Sequence, residues 1–200
     1  MLAGLNGGTV MLERLQDLVI RISRTWWLYL TVLVLFAGSL QALIRIGGLF
    51  PDYAAGAAPF DLQNDLQPDQ VYPQIAGYTE QARELYYAFT LIDYAFPFFA
   101  GLFITATAAF GLRYGAPRYY AAAVARRLLL VLMLPTAFDW LENLAAIATI
   151  VMYPMKFGWL PWLLVFAKKC KLSFTLFSNG AMVLALVTAA GAWVARRVRA

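Results

Sequence analysis

Four apolar stretches constrain this chain more than anything else in it. They run about Trp26–Ile46, Tyr86–Leu112, Leu128–Tyr153 and Leu172–Val194. Each is long enough to cross about 30 Å of hydrocarbon, which takes roughly 20 helical residues. A backbone inside lipid must satisfy its own polar groups, so such stretches become helices. Of the 200 residues, 62% are hydrophobic and 14% charged, too few polar groups to cover the chain in water. The expected fold is all-α, an integral membrane four-helix bundle forming a single transmembrane domain over 1–200.

Charges at the ends of the stretches orient them. Arg14, Arg21 and Arg24 precede the first. Arg113, Arg118, Arg126 and Arg127 lie between the second and third, and Arg196, Arg197 and Arg199 follow the fourth. These ten of the 16 basic residues share one side, which the positive-inside rule makes cytoplasmic, or matrix or stromal. Both termini are expected there. The opposite side holds Arg45, Arg83, Lys156, Lys168, Lys169 and Lys171, balanced by Asp52, Asp61, Asp65, Asp69, Glu80 and Glu84. The net charge of +5 therefore reads as topology, with anionic lipid as counter-charge. Scattered basic residues without a recognition motif give no support to nucleic-acid binding. The expected location is a bacterial inner membrane or an organellar inner membrane.

The chain has no histidine and one cysteine, Cys170. No His-ligated haem, histidine base, zinc site or dithiol centre is therefore expected. Other cofactors stay open, and so does catalysis.

The connections carry further signals. Residues 1–25 do not read as a signal peptide, because Glu13 and Asp17 interrupt them. Met11, Leu15, Leu18 and Ile22 recur at helical spacing, as in a helix lying in the membrane interface. The 47–84 segment forms the outer loop. Its prolines at 51, 59, 68 and 73 prevent a long helix before about Thr79, which can cap the next one. Such a loop reads as a lid, a contact surface or a solvated cap. Tyr153–Trp162 is aromatic and broken by Pro154 and Pro161; a short interfacial helix over Pro161–Lys171 is expected before the last span. Gly101, Thr105 and Ala109, and likewise Ala181, Ala185 and Ala189, are small-residue stripes for close helix packing.

Three acids fall inside spans: Asp93, Asp139 and Glu142. Each costs at least about 2.5 kcal/mol near the bilayer centre, so each needs a partner, a cavity or the bundle interior. Asp139, Glu142 and Asn143 stand at i, i+3 and i+4 and share a helix face. Pro135 is a turn earlier on that face and is expected to loosen it; Pro97 follows Asp93 by a turn. Counting from the span ends, Asp93, Glu142, Asn143, Ser178, Asn179, Ser39 and Gln41 fall in one layer of the outer half of the membrane. This layer reads as a network fixing helix register, as a polar pocket, or as a partner interface. As a pocket, its carboxyls can donate or accept protons, or hold the cationic head of an amphiphile. Tyr86, Tyr87, Tyr94, Phe96 and Trp140 then line its apolar part. The ligand-binding candidates are Asp93, Asp139, Glu142, Asn143, Asn179 and Gln41. Lys168, Lys169 and Lys171 read as ordinary interfacial lysines, or as an attraction for phosphate headgroups at the pocket mouth.

Three runs carry a resemblance: Gly77-Tyr-Thr-Glu-Gln-Ala, Leu91-Ile-Asp-Tyr-Ala-Phe-Pro-Phe-Phe and Leu134-Pro-Thr-Ala-Phe-Asp-Trp-Leu-Glu-Asn. Over roughly 28–190 the chain resembles a family of uncharacterised four-span bacterial membrane proteins, which implies a fold and no activity. More distantly, its layout is similar to the emopamil-binding, sigma-2-receptor-like proteins. Those carry an acid-lined pocket for sterol-like or cationic amphiphiles; Asp93 before Pro97-Phe98-Phe99 matches their second-span pattern. The histidine important to sterol isomerisation there has no counterpart here. The resemblance implies ligand binding at Asp93 and Glu142 only.

Two functions follow as expectations. One is a multi-pass protein binding a lipid-like or amphiphilic ligand in an acidic intramembrane pocket. The other is an accessory or structural subunit of a larger membrane complex of respiratory or photosynthetic type. The expected partners are membrane lipid and either further copies of the chain or that larger complex.

Overall fold

The computed structural model describes residues 3–198, with the side chains of 8–198. Arg199, counted among the basic residues above, lies outside that range. The described residues are helical, with no strand among them. Seven α-helices follow in order: α1 Ala3–Arg24, α2 Trp26–Leu49, α3 Pro68–Ala76, α4 Glu80–Gly115, α5 Pro117–Ala125, α6 Leu134–Met152 and α7 Trp159–Val198. Short 3-10 turns cover Phe50–Tyr53, Phe60–Leu62 and Leu128–Met133. Four segments are long and apolar enough to cross a membrane: Trp26–Tyr53, Glu80–Gly115, Leu128–Met152 and Trp159–Val198.

Local chemistry explains most boundaries. Thr79 caps α4 by accepting the Ala82 N–H at 3.1 Å, and α4 then runs unbroken through the second apolar stretch. Pro135 does not kink a longer helix. It sits in the first turn of α6, just after the 3-10 turn, where its missing N–H disrupts nothing. The separate helix expected over Pro161–Lys171 is absent. Pro161 stands in the first turn of α7, and nothing after it breaks the helix, so one 40-residue helix continues to Val198. At 1.5 Å per residue α7 is about 60 Å long.

The chain divides into two compact units. One comprises 35–98 and 135–173. In it the proline-rich loop folds inward as a packed cap. Phe50, Phe60, Val71 and Ile75 are fully buried, against Tyr86 of α4, Ile150 of α6 and Leu164 of α7. Phe50 meets Tyr78 edge-on at 5.3 Å and Tyr86 at 5.6 Å; Phe60 meets Tyr86 at 5.7 Å. These offset geometries are the favourable ones for aromatic pairs. Burial pushes the Tyr78 phenol up from its ordinary value, and the hydroxyl has no partner among the described residues. The loop ends are tied by polar bonds. The Thr79 hydroxyl and N–H both donate to the Tyr53 carbonyl, and Gln63 and Gln74 exchange amide bonds at 2.9 and 3.1 Å.

The other unit comprises 1–34, 99–134 and 174–200. The Ala185 and Ala189 stripe of α7 packs here, against Gly111 and Gly115 of α4. A Cβ on Gly111 would lie 2.6 Å from the Ala185 carbonyl, and one on Gly115 2.5 Å from the Ala189 nitrogen. Small residues at both ends of this contact let two backbones approach. The hydroxyls of Tyr29 and Thr107 are bonded at 2.8 Å, and Arg113 donates to the Ser23 carbonyl at 3.1 Å. In α1, Val19 and Ile22 are buried while Met11 and Leu18 are exposed, so only part of its apolar stripe packs.

Gly115→Val must push the α7 backbone aside. Overpacking of this kind costs about 1–3 kcal/mol, read as a lower unfolding midpoint in detergent. Gly191, with open space around it, is the control: Gly191→Ala leaves the midpoint unchanged or raises it slightly.

Candidate functional site

The in-span acids meet in the first of these units. Proline sets up one wall. Pro97 has no N–H to give the Asp93 carbonyl one turn earlier, so that carbonyl is free, and the Asn143 amide lies 3.5 Å from it. The Pro97 carbonyl accepts the Thr136 hydroxyl at 2.7 Å, and the Tyr94 carbonyl accepts the Trp140 indole N–H at 2.8 Å. These bonds lock α4 against α6 around the acids.

The i, i+3, i+4 face of α6 then presents Asp139, Glu142 and Asn143 together, all buried. Asn143 bridges two helices, donating to Asp93 Oδ2 at 3.0 Å and to Asp139 Oδ1 at 3.3 Å. From α7 come two lysines. Lys168 is 1% exposed; its ammonium lies 2.7 Å from Glu142 Oε1 and donates to the Asp61 carbonyl at 3.0 Å. The Lys171 ammonium lies 2.7 Å from Glu142 Oε2, 3.5 Å from Asp139 Oδ2, and pairs with the Asp61 carboxylate. Asp61 stands beside buried Phe60, whose packing into the cap brings the loop acid down to α7.

The charge count is unequal. Asp61, Asp93, Asp139 and Glu142 face Lys168 and Lys171, which leaves an excess of two negative charges if all ionise. One of these two charges falls on Asp93. It is 1% exposed, has no ion pair among the described residues, and its Oδ1 has no hydrogen-bond partner there. Asp61, Asp93 and Asp139 also bring one carboxylate oxygen each within 4.8 Å of one another. An oxygen-only set of this kind suits a hard cation such as Mg²⁺ or Ca²⁺. The Lys171 ammonium already touches two of the three.

The other sequence candidates lie elsewhere. Gln41 is exposed on α2, beside a shallow cavity with Gly38 and Arg45. Ser39 spends its hydroxyl on carbonyls of its own helix, so α2 brings neither residue to the cluster. Asn179, half-buried, and Ser178 belong to the other unit. Tyr86 is consumed by the aromatic cap, while Trp140 stacks on Phe98 and Phe96 on Phe36. Lys168 and Lys171 are core residues, not interfacial ones, and Asp61 was no candidate at all. The only sequence signal for the lysines was their i, i+3 spacing.

In comparisons with known proteins, no family model, no curated protein and no solved structure matches the chain. Fold and site together define a class: an all-helical chain with four membrane-spanning candidates and an ion network buried within them.

Lys168→Met takes one of two cations from buried Glu142 and leaves Lys171 as its ion partner, so it costs about 3 kcal/mol of unfolding free energy, the low end for a broken buried pair. Asp93→Asn removes a charge without a cationic partner and keeps the side chain's shape and an oxygen for Asn143, so it costs under about 1 kcal/mol or stabilises. Denaturant unfolding in detergent separates the two.

Proposed function

We propose that this chain is a multi-pass membrane protein that binds the cationic head of a lipid-like or amphiphilic molecule at the acidic network. On this reading the arginine-rich side, with both chain ends, is the cytoplasmic or equivalent one, and α1 lies in the interface. The observation that carries this is the charge excess at Asp93. A buried carboxylate without a cation is costly, and a ligand ammonium or a proton removes that cost. Of the two, the ammonium brings with it an apolar tail. Partly exposed Tyr94, next to Asp93 on α4, offers such a tail an aromatic face.

A second reading has its own support. Only 11% of the apolar window of Trp26–Tyr53 is buried, and 11% of that of Trp159–Val198, against 50% for Glu80–Gly115. Two spans so open suit an accessory subunit whose neighbours cover them, and the network is then architecture.

Dodecylamine and dodecanol separate the readings. Under ligand binding, dodecylamine raises the unfolding temperature of the purified wild type, dodecanol does not, and Asp93→Asn abolishes the shift without unfolding the protein. Equal shifts with both probes, or a shift kept in Asp93→Asn, contradict the reading. Native mass spectrometry of gently extracted protein tests the second: it requires release only within a hetero-complex.

A further inference from the structure

The one-residue break between α1 and α2 marks a second place of interest, independent of the acids. Thr25 breaks the helix there, and a cavity of about 440 Å³ forms between the joint and the end of α4. Its wall is apolar and aromatic, from Ile22, Trp26, Leu30 and Phe110. Two guanidiniums, Arg24 and Arg113, line the same cavity, and no acid does.

The two arginines differ in their commitments. Arg113 is held in place: one nitrogen donates to the Ser23 carbonyl, and the planar group lies 5.1 Å from the Tyr114 ring centre and 5.9 Å from that of Phe110. Its other N–H groups stay available, since guanidinium carries five donors. Arg24 is exposed and has no hydrogen-bond or ionic partner among the described residues. A positive cavity with a hydrocarbon wall, at the arginine-rich end of two spans, matches a phosphate carrying acyl chains. It does not match a soluble anion, which has no use for the wall.

We propose that this cavity binds the headgroup of an anionic phospholipid, its phosphate between Arg24 and Arg113 and its first acyl carbons along Trp26, Leu30 and Phe110. Arg24 supplies a free charge, and Arg113 supplies a fixed one. The site seats a lipid where the interfacial helix turns into the first span, and so fixes the angle between them.

The test titrates the full-length protein, in mild detergent, with phosphatidylglycerol or phosphatidylcholine of matched chains and counts bound lipid by native mass spectrometry. The wild type retains one phosphatidylglycerol about tenfold more tightly than phosphatidylcholine. Arg24→Gln weakens that retention about fivefold, the value of one arginine at a membrane surface. Arg21→Gln, exposed on the same helix and outside the cavity, changes it less than about twofold. Equal retention of the two lipids overturns the proposal, as does an equal loss in Arg21→Gln, which would reflect general surface charge. Displacement of the lipid by millimolar inorganic phosphate also overturns it, because the site then recognises phosphate alone. Circular dichroism of Arg24→Gln confirms that the variant is folded before its retention is read.

Discussion

One ammonium group organises the unit that holds the acids. Lys171 of α7 reaches Glu142 and Asp139 of α6 and Asp61 of the loop at once. Without that charge, three carboxylates would share a buried space with a single remaining lysine. With it, a loop, a short 3-10 turn and two spans are held by the same interaction. The aromatic cap depends on this as much as it supports it. Phe60 is fully buried only if its neighbour Asp61 has somewhere to put a charge. Buried ion pairs give little net stability, but they are intolerant of a missing member, and this makes them good at fixing one arrangement.

The two units solve the problem of packing in lipid differently. Around Gly111, Gly115, Ala185 and Ala189 the helices approach because nothing stands between their backbones. Around Asn143 they are joined by polar groups that have no water to turn to. The first solution is indifferent to charge and pH. The second leaves an excess of negative charge at the acids. The lysines of α7 are committed inside, each paired with a buried acid.

Much of this was legible in the sequence, and the rest was hidden for definite reasons. Length and hydropathy identify four spans, because a helix in lipid leaves no alternative. The shared face of Asp139, Glu142 and Asn143 follows from helical periodicity alone, as does the turn between Asp93 and Pro97. Lys168 and Lys171 were read as interfacial because lysine at a span end usually is. Their burial depends on α7 continuing straight through Pro161, which a proline in the first turn permits. Asp61 could not be foreseen, since a loop acid finds its partner through the loop's tertiary path. The partners of the α7 stripe are not visible in the sequence, because Gly111 lies at the end of the second stretch and Gly115 beyond it, away from the stripe at Gly101, Thr105 and Ala109. Gln41 and Asn179 were grouped by depth alone, and depth does not say which way a side chain faces.

The most direct measurement is a double-mutant cycle between Asp61 and Lys171, using Asp61→Asn, Lys171→Met and both together, with unfolding followed in detergent. If the loop and α7 are joined through this pair, each single substitution destabilises and the double costs less than their sum, by about 1–3 kcal/mol. If the two effects simply add, the pair is not coupled, and the loop is held by its aromatic cap and by the bond from Lys168 to the Asp61 carbonyl.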